Sequence, residues 1–164
     1  MGSKLRPPKQ SNGVVKPTHR RDAVTIYGDL RPADLKEIEA HGACPMAALL
    51  QSVEVSGKCY TIWIEDEPVG IFGIASGVYS PSTGYPWLMG TPGIERISWQ
   101  FLRESRKWLD ELAEGYHLLT NVVHEENELH VKWLRFLGMK FLERKPPFLE
   151  FAKICVSQPQ QRPQ

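Results

Sequence analysis

The 164-residue sequence contains no apolar run approaching the roughly 18–20 residues that a membrane-crossing helix needs. Its opening lacks the apolar stretch of a secretory leader, and Met1-Gly2-Ser3-Lys4-Leu5-Arg6 sets Arg where a myristoylation motif takes Ser or Thr. Neither secretion nor lipid anchoring is expected, and no membrane partner. Cysteine is scarce: Cys44, Cys59 and Cys155 are odd in number, widely spaced and without a CxxC pair, which excludes a disulfide framework and a zinc site and fits a reducing cytoplasm. His124 and His130 lie six residues apart, not the three or four that place two ligands on one helix face, so no metal is expected. No internal repeat is present, which excludes a solenoid or propeller. Charge of one sign is also lacking: 20 Lys and Arg face 19 Asp and Glu.

What is present is ordinary globular material. With 41% apolar and 24% charged residues, the chain can bury a core, and its length suits one domain. The small net charge hides an asymmetry. Six bases (Lys4, Arg6, Lys9, Lys16, Arg20, Arg21) precede the first acid, Asp22, leaving fourteen bases against nineteen acids in the remainder. A mildly acidic body is a poor general nucleic-acid binder, because such binding needs a basic face to displace counterions. Residues 1–22, with Pro7, Pro8, Pro17 and Gly13, read as a flexible basic arm, residues 23–156 as the domain, and residues 157–164 as a polar tail.

Within the domain, Ala23-Val24-Thr25-Ile26-Tyr27 is short and β-branched and reads as a strand. A helix opens at Arg31-Pro32-Ala33-Asp34 and ends at Gly42, and a second follows Pro45. Cys59 to Ile64 and Val69 to Ala75, separated by the polar turn Glu65-Asp66-Glu67-Pro68, read as a hairpin. Tyr85 to Met89 is a further short apolar strand. From Pro92 to Glu114, Ile94, Ile97, Phe101, Trp108 and Leu112 recur near multiples of 3.6, which predicts one long amphipathic helix. His117 to Val123 reads as a buried strand, Asn127 to Leu137 as a helix stopped by Gly138, and Met139 to Leu142 with Phe148 to Val156 as a closing strand pair. The order is β-α-α-β-β-β-α-β-α-β-β, an α/β or α+β sheet with helices on its faces.

This order, with Asn127-Glu128-Leu129-His130-Val131-Lys132-Trp133-Leu134-Arg135-Phe136-Leu137-Gly138-Met139 after the fifth strand, resembles the GNAT N-acetyltransferases. Asn127 and Gly138 keep their places in the Asn-x-x-Ala-x-x-x-Tyr-x-x-x-Gly-Phe stretch of that superfamily. More narrowly, Trp87-Leu88-Met89-Gly90-Thr91, Leu118-Leu119-Thr120-Asn121-Val122-Val123 and Trp133-Leu134-Arg135-Phe136-Leu137-Gly138 look like a phage-encoded GNAT-like family labelled internal virion or core protein of short-tailed phages. The resemblance implies a GNAT-like mixed central sheet with helices on both faces, and a fourth and fifth strand that splay apart to receive acetyl-CoA. It implies transfer of acetyl to a primary amine, with a host or phage protein as acceptor, by direct attack in a ternary complex. Leu88, Met89 and Gly90 would form the cofactor edge, with a Met89 or Gly90 amide polarising the acetyl carbonyl; Thr91, Gly93 and Arg96 would form the phosphate loop, and Asn127 the pantetheine contact.

Two positions depart from the pattern. Thr91-Pro92-Gly93-Ile94-Glu95-Arg96 has one glycine and an acid that repels phosphate, so it reads equally as a plain helix start with Thr91 as N-cap. Arg96 and Arg103 are the bases that could offset Glu95, though the sequence does not place them. The general-acid Tyr of the superfamily falls on Leu134, which has no proton to give, although a thiolate of pKa near 8.5 can leave without an acid. His124, closing strand five, is the candidate base, and Glu125 a candidate for binding a cation or relaying a proton; the same cluster also reads as a solvated loop and N-cap. These departures keep open a second class, a catalytically inactive GNAT-shaped protein of virion assembly or host interaction. A third reading, nucleic-acid binding through the basic arm, ranks lowest. The expected location is the host cytoplasm, with the virion as the alternative.

Overall fold

A computed structural model describes residues 13–97 and 99–155 of the chain. Strand β1 (Val14–Pro17) is followed by α1 (Arg20–Tyr27), α2 (Pro32–Ala40) and α3 (Pro45–Val55), then β2 (Cys59–Ile64), β3 (Glu67–Ser76) and β4 (Thr83–Gly90). A 3-10 turn (Pro92–Arg96) leads to α4 (Trp99–Leu112), and β5 (Leu118–His124), α5 (Glu128–Phe136), β6 (Lys140–Lys145) and β7 (Phe148–Ile154) complete the order. The strands form one seven-stranded sheet in the order β1-β2-β3-β4-β5-β7-β6. Every neighbouring pair is antiparallel except β4–β5. No helix among the described residues is long and apolar enough to cross a membrane.

The sheet separates two cores because alternate residues of a strand face opposite sides. On one face Ile62, Phe72, Ile74 and Leu88 pack with Phe101, Leu109 and Leu112 of α4 and Leu134 of α5. On the other, Ile71, Trp87 and Met89 pack with Ala23 and Ile26 of α1, Ile38 of α2 and Leu49 of α3. The mixed sheet and two-sided packing agree with the expected fold class.

Three expected elements differ. Ala23 to Tyr27 is helical, not extended. Ala23 and Ile26 share the buried face while Val24 is 50% exposed, a helical spacing. The helix is started by Asp22, whose carboxylate accepts from the His19 backbone N–H (2.9 Å) and from Thr61 Oγ1 (3.0 Å). Packing and capping here outweigh the β-branched composition. The first strand lies earlier, at Val14–Pro17, where it pairs antiparallel with Pro17 opposite Tyr60 and Val14 opposite Trp63. The part of the expected arm from Val14 to Asp22 is therefore strand and helix, while residues 1–12 and the expected tail at 157–164 lie outside the described residues. Finally, the helix expected from Pro92 to Glu114 is broken. The first turn is 3-10, with the Ile94 N–H donating to the Thr91 carbonyl (3.1 Å) and that of Ile97 to Ile94 (3.2 Å), and Ile97 is extended at ψ 134°. The hairpin, the strand before α5, and the glycine stop at Gly138, with φ of 87°, are as expected.

Candidate functional site: a gap between β4 and β5

Strands β4 and β5 pair only at Thr83–Leu118 and Gly84–Leu119 before they diverge. Three features enforce the divergence. Pro86 has no N–H to offer, and its carbonyl accepts from Asn121 Nδ2 at 3.0 Å. Asn121 Oδ1 in turn accepts the Val122 N–H at 2.9 Å, so the Asn121 side chain takes the place of the next ladder rungs. Further along, helix α2 spans the widening end.

The register fixes which backbone groups face the gap. The Thr91 N–H donates to Val69 of β3 (2.9 Å), and Met89 sits opposite Ile71, Leu88 opposite Phe72 and Gly90 opposite Gly70. Antiparallel pairing alternates bonded and non-bonded pairs, so odd positions of β4 bond to β3, and Leu88 and Gly90 turn their N–H and C=O toward β5. On β5, the bonds from Cys155 N–H to His117 and from Glu125 N–H to Pro147 leave the even positions, Val122 and His124, facing β4.

Gly90 and His124 are both closed off by α2. The Gly90 N–H donates to Asp34 Oδ2 (2.9 Å) and its carbonyl accepts from the Arg31 N–H (2.9 Å). The His124 N–H donates to Glu37 Oε2 (3.0 Å). Two carboxylates one turn apart on α2 thus hold one strand each. Asn127, 1% exposed, sits behind them. Its Oδ1 accepts from the Arg31 guanidinium (2.6 Å), and its Nδ2 lies 3.1 Å from Asp34 Oδ1, 3.2 Å from Glu37 Oε2 and 3.0 Å from His130 Nδ1. Burial pushes the His130 imidazole down to about 4, so it is neutral at pH 7. With Nδ1 accepting, Nε2 carries the proton; it lies 3.3 Å from Asp34 Oδ1 but makes no hydrogen bond among the described residues. Burial is also the main cause that raises Glu37 to about 7, opposed by the bonds from His124 and Asn127.

Leu88 is left. Its N–H and C=O point into the gap, where neither strand ladder takes them. Around it is a cavity of about 70 Å³, lined among others by Glu37, Leu88, Asn121, Trp133 and Leu134. On the α4/α5 side, a groove of about 340 Å³ walled by Leu88, Ile94, Phe101, Trp108, Trp133 and Phe136 adjoins it. Ser105 and Trp133 line both and are joined by a bond from Trp133 Nε1 to Ser105 Oγ (3.1 Å).

The expected site residues are distributed unevenly about this gap. Leu88 and Met89 line it, but the amide that faces it is that of Leu88: Met89 bonds toward β3, and the Gly90 amide is taken by Asp34. Thr91 is buried and caps the 3-10 turn, its Oγ1 accepting the Gly93 N–H (3.2 Å), while Arg96 lies 3.5 Å from Glu67. Asn127 belongs to the buried network. His124 does not line the cavity; its Nδ1 accepts the Glu126 N–H (3.2 Å), and its ring meets Phe148 edge-on at 5.9 Å. Glu125 is held by Arg144 through two bonds (2.6 and 3.0 Å), which lowers its pKa and keeps it an ion-pair partner at the surface, away from any base role in the gap. Glu126 pairs with Lys36. Among the described residues no group of three metal-ligating side chains occurs.

The residues absent from the expected set are Arg31, Asp34, Glu37 and Asn121. For Asp34 the signal in the sequence is a charge on the apolar phase of α2, in step with Ile38; Asn121, uncharged and on β5, carries no such signal.

No family model and no curated protein matches the chain. Solved structures do. The GNAT domain of S. lividans PAT superposes with a TM-score of 0.64 over 92% of this chain and 100% of its own, at 11% identity. The chain has the GNAT acetyltransferase fold. An acetyltransferase from Thermus thermophilus matches over 90% of this chain and 99% of its own (TM-score 0.60, 14% identity). The N-acetyltransferase PseH of Campylobacter jejuni, solved in complex with acetyl coenzyme A, matches over 87% and 100% (TM-score 0.56, 8% identity). In this GNAT fold the gap at Leu88 is the place where the parallel pair opens.

Proposed function

We propose that the chain is a GNAT-type N-acetyltransferase that takes acetyl from acetyl-CoA and passes it to a primary amine, with a protein as acceptor. The observation that carries the reading is the Leu88 main chain, aimed into a gap with a cavity beside it and a carboxyl group of near-neutral pKa in its wall. A bound acetyl thioester would supply the activated acyl group. The Leu88 N–H is oriented to donate to an oxygen that gains negative charge in the gap, and preorganised donors of this kind commonly contribute about 2.7–4 kcal/mol to lowering a barrier. Glu37, with a pKa of about 7, is suited to take a proton from the acceptor's ammonium near neutral pH, so that the free amine can attack. Trp133 and Leu134 line the gap with apolar surface.

Calorimetric titration with acetyl-CoA, followed by thiol release over a panel of amines, tests this. Binding heat and acetyl-CoA-dependent thiol release support it, and absence of heat at millimolar cofactor removes it.

A second reading, a GNAT-shaped virion or host-interaction protein without catalysis, is favoured by one observation: the open end of the gap is closed by Asp34, Glu37 and Asn127. Binding of acetyl-CoA without acetylation of any amine, with copurification of virion or host proteins, would select it. The acetyltransferase reading places the protein in the cytoplasm of a phage-infected host, and the second in the virion.

A further inference from the structure

We infer that the acceptor is a peptide segment lying across the α1–α3 face of β5, β7 and β6, and that Glu150 selects one with a basic residue next to the reacting lysine; this rests on the acetyltransferase reading above. The apolar groove on the α4/α5 side adjoins Leu88 and suits the thioester arm, so the amine enters from the opposite face of the sheet. Strand parity fixes what that face carries. Leu149 and Phe151 pack with the α4/α5 core, which turns Phe148, Glu150 and Ala152 to the other side. His41 at the end of α2 stacks on Phe148 at 4.3 Å, as that orientation requires. Among the described residues the second core ends at Trp87 and Met89 of β4 and takes in no residue of β5, β6 or β7.

Beyond Trp87 this face is a half-exposed floor beside the gap. Val122, which lines the cavity, stands opposite Glu150. Odd positions of β5 make the bonds to β7, so Val122 and Glu150 are a non-bonded pair, the kind whose side chains lie closer. Glu150 is half-buried, and among the described residues its carboxylate has no ion pair or hydrogen bond. Its neighbours differ: Glu125 is held by Arg144, Glu126 by Lys36 and Glu143 by Lys145. A bulge in β6 sets Leu142 and Glu143 opposite Glu150, and Leu142 is 61% exposed. An aliphatic stem can rest on Leu142 while its charged end reaches Glu150. Adjacent strands are about 4.8 Å apart, so a cation at Glu150 is one strand from the cavity wall, within reach of the residue beside the lysine that enters the gap. Lys140, opposite Ala152, is the next charge along this face, which leaves room for one cation and not for a basic tract.

The test measures acetylation, by the full chain, of peptides that carry one lysine flanked by arginine, glutamine or glutamate. The arginine peptide is expected to exceed the glutamine one by about fivefold in kcat/KM, through KM and not kcat, as one half-exposed ion pair allows. The preference should fade between about 50 and 300 mM salt. Glu150→Gln should remove it by lowering kcat/KM for the arginine peptide, and Glu150→Lys should transfer it to the glutamate peptide. Equal kcat/KM for the three peptides with the parent, a preference that survives Glu150→Gln, or a loss shared alike by all three overturns the inference while leaving the acetyltransferase reading intact. So does thiol release with small amines when no peptide is acetylated. If acetyl-CoA does not bind, or no amine releases its thiol, that reading fails and the inference fails with it.

Discussion

Glu37 links acid–base chemistry to folding. Its pKa is about 7 in the folded chain and near 4.5 when exposed, so between those values the folded state holds a proton that the unfolded state has lost. Stability from this group is complete below about pH 4.5 and declines as pH rises through about 7. His130 acts oppositely: lowered from 6.5 to about 4, it adds stability that is present above 6.5 and lost as pH falls through about 4. Comparing Glu37→Gln with the parent isolates the first effect. In melting curves at pH 5 and pH 8, the parent should lose stability relative to the variant on going to the higher pH; parallel profiles would contradict the assignment. If Glu37 is the base, acetylation by the parent rises with pH to an inflection near 7, and the variant lacks that limb. Asp34 has a different weight. Asp34→Ala leaves the Arg31 charge without its carboxylate and the Gly90 N–H unpaired in the interior, a loss of about 3–5 kcal/mol measurable by urea unfolding.

At the scale of elements, the helical first segment gives a sharp contrast. A strand would put Val24 and Ile26 on one face, whereas α1 pairs Ile26 with Ala23 and leaves Val24 in solvent. Ile26→Ala should cost about 2–5 kcal/mol and Val24→Thr less than about 0.5; equal costs would restore the strand. The sequence was misleading here for a physical reason. Val24, Thr25, Ile26 and Tyr27 carry β propensity, but the determinants of α1 are tertiary: the Thr61 hydroxyl on Asp22 and the pocket among α3 and β3 that receives Ile26. Elements whose signal is local, such as the Glu65-Asp66 turn or the Gly138 stop, were legible. Leu88 and Met89 were legible as an edge, but the choice of amide needed the register of β3 against β4. Glu37 was not legible as a site residue, because its character comes from partners at positions 124 and 127. In amide exchange, the Leu88 N–H should exchange faster than that of Met89, which bonds β3, and slow when acetyl-CoA is added; equal rates in the free protein would refute the parity argument.

For the whole molecule, both cores rest on one sheet, since neighbouring residues Ile71 and Phe72 belong to different faces. The two faces are therefore expected to unfold together. Far-ultraviolet dichroism and tryptophan fluorescence should report one coincident urea transition, and separated midpoints would show that α1 to α3 melt independently.

The carboxylates of α2 also make that helix a crossbar. Because Asp34 grips the last residue of β4 and Glu37 the last residue of β5, neither strand end can swing outward alone. Any change that parts the two strand ends must therefore break one of these anchors or carry α2 along with it.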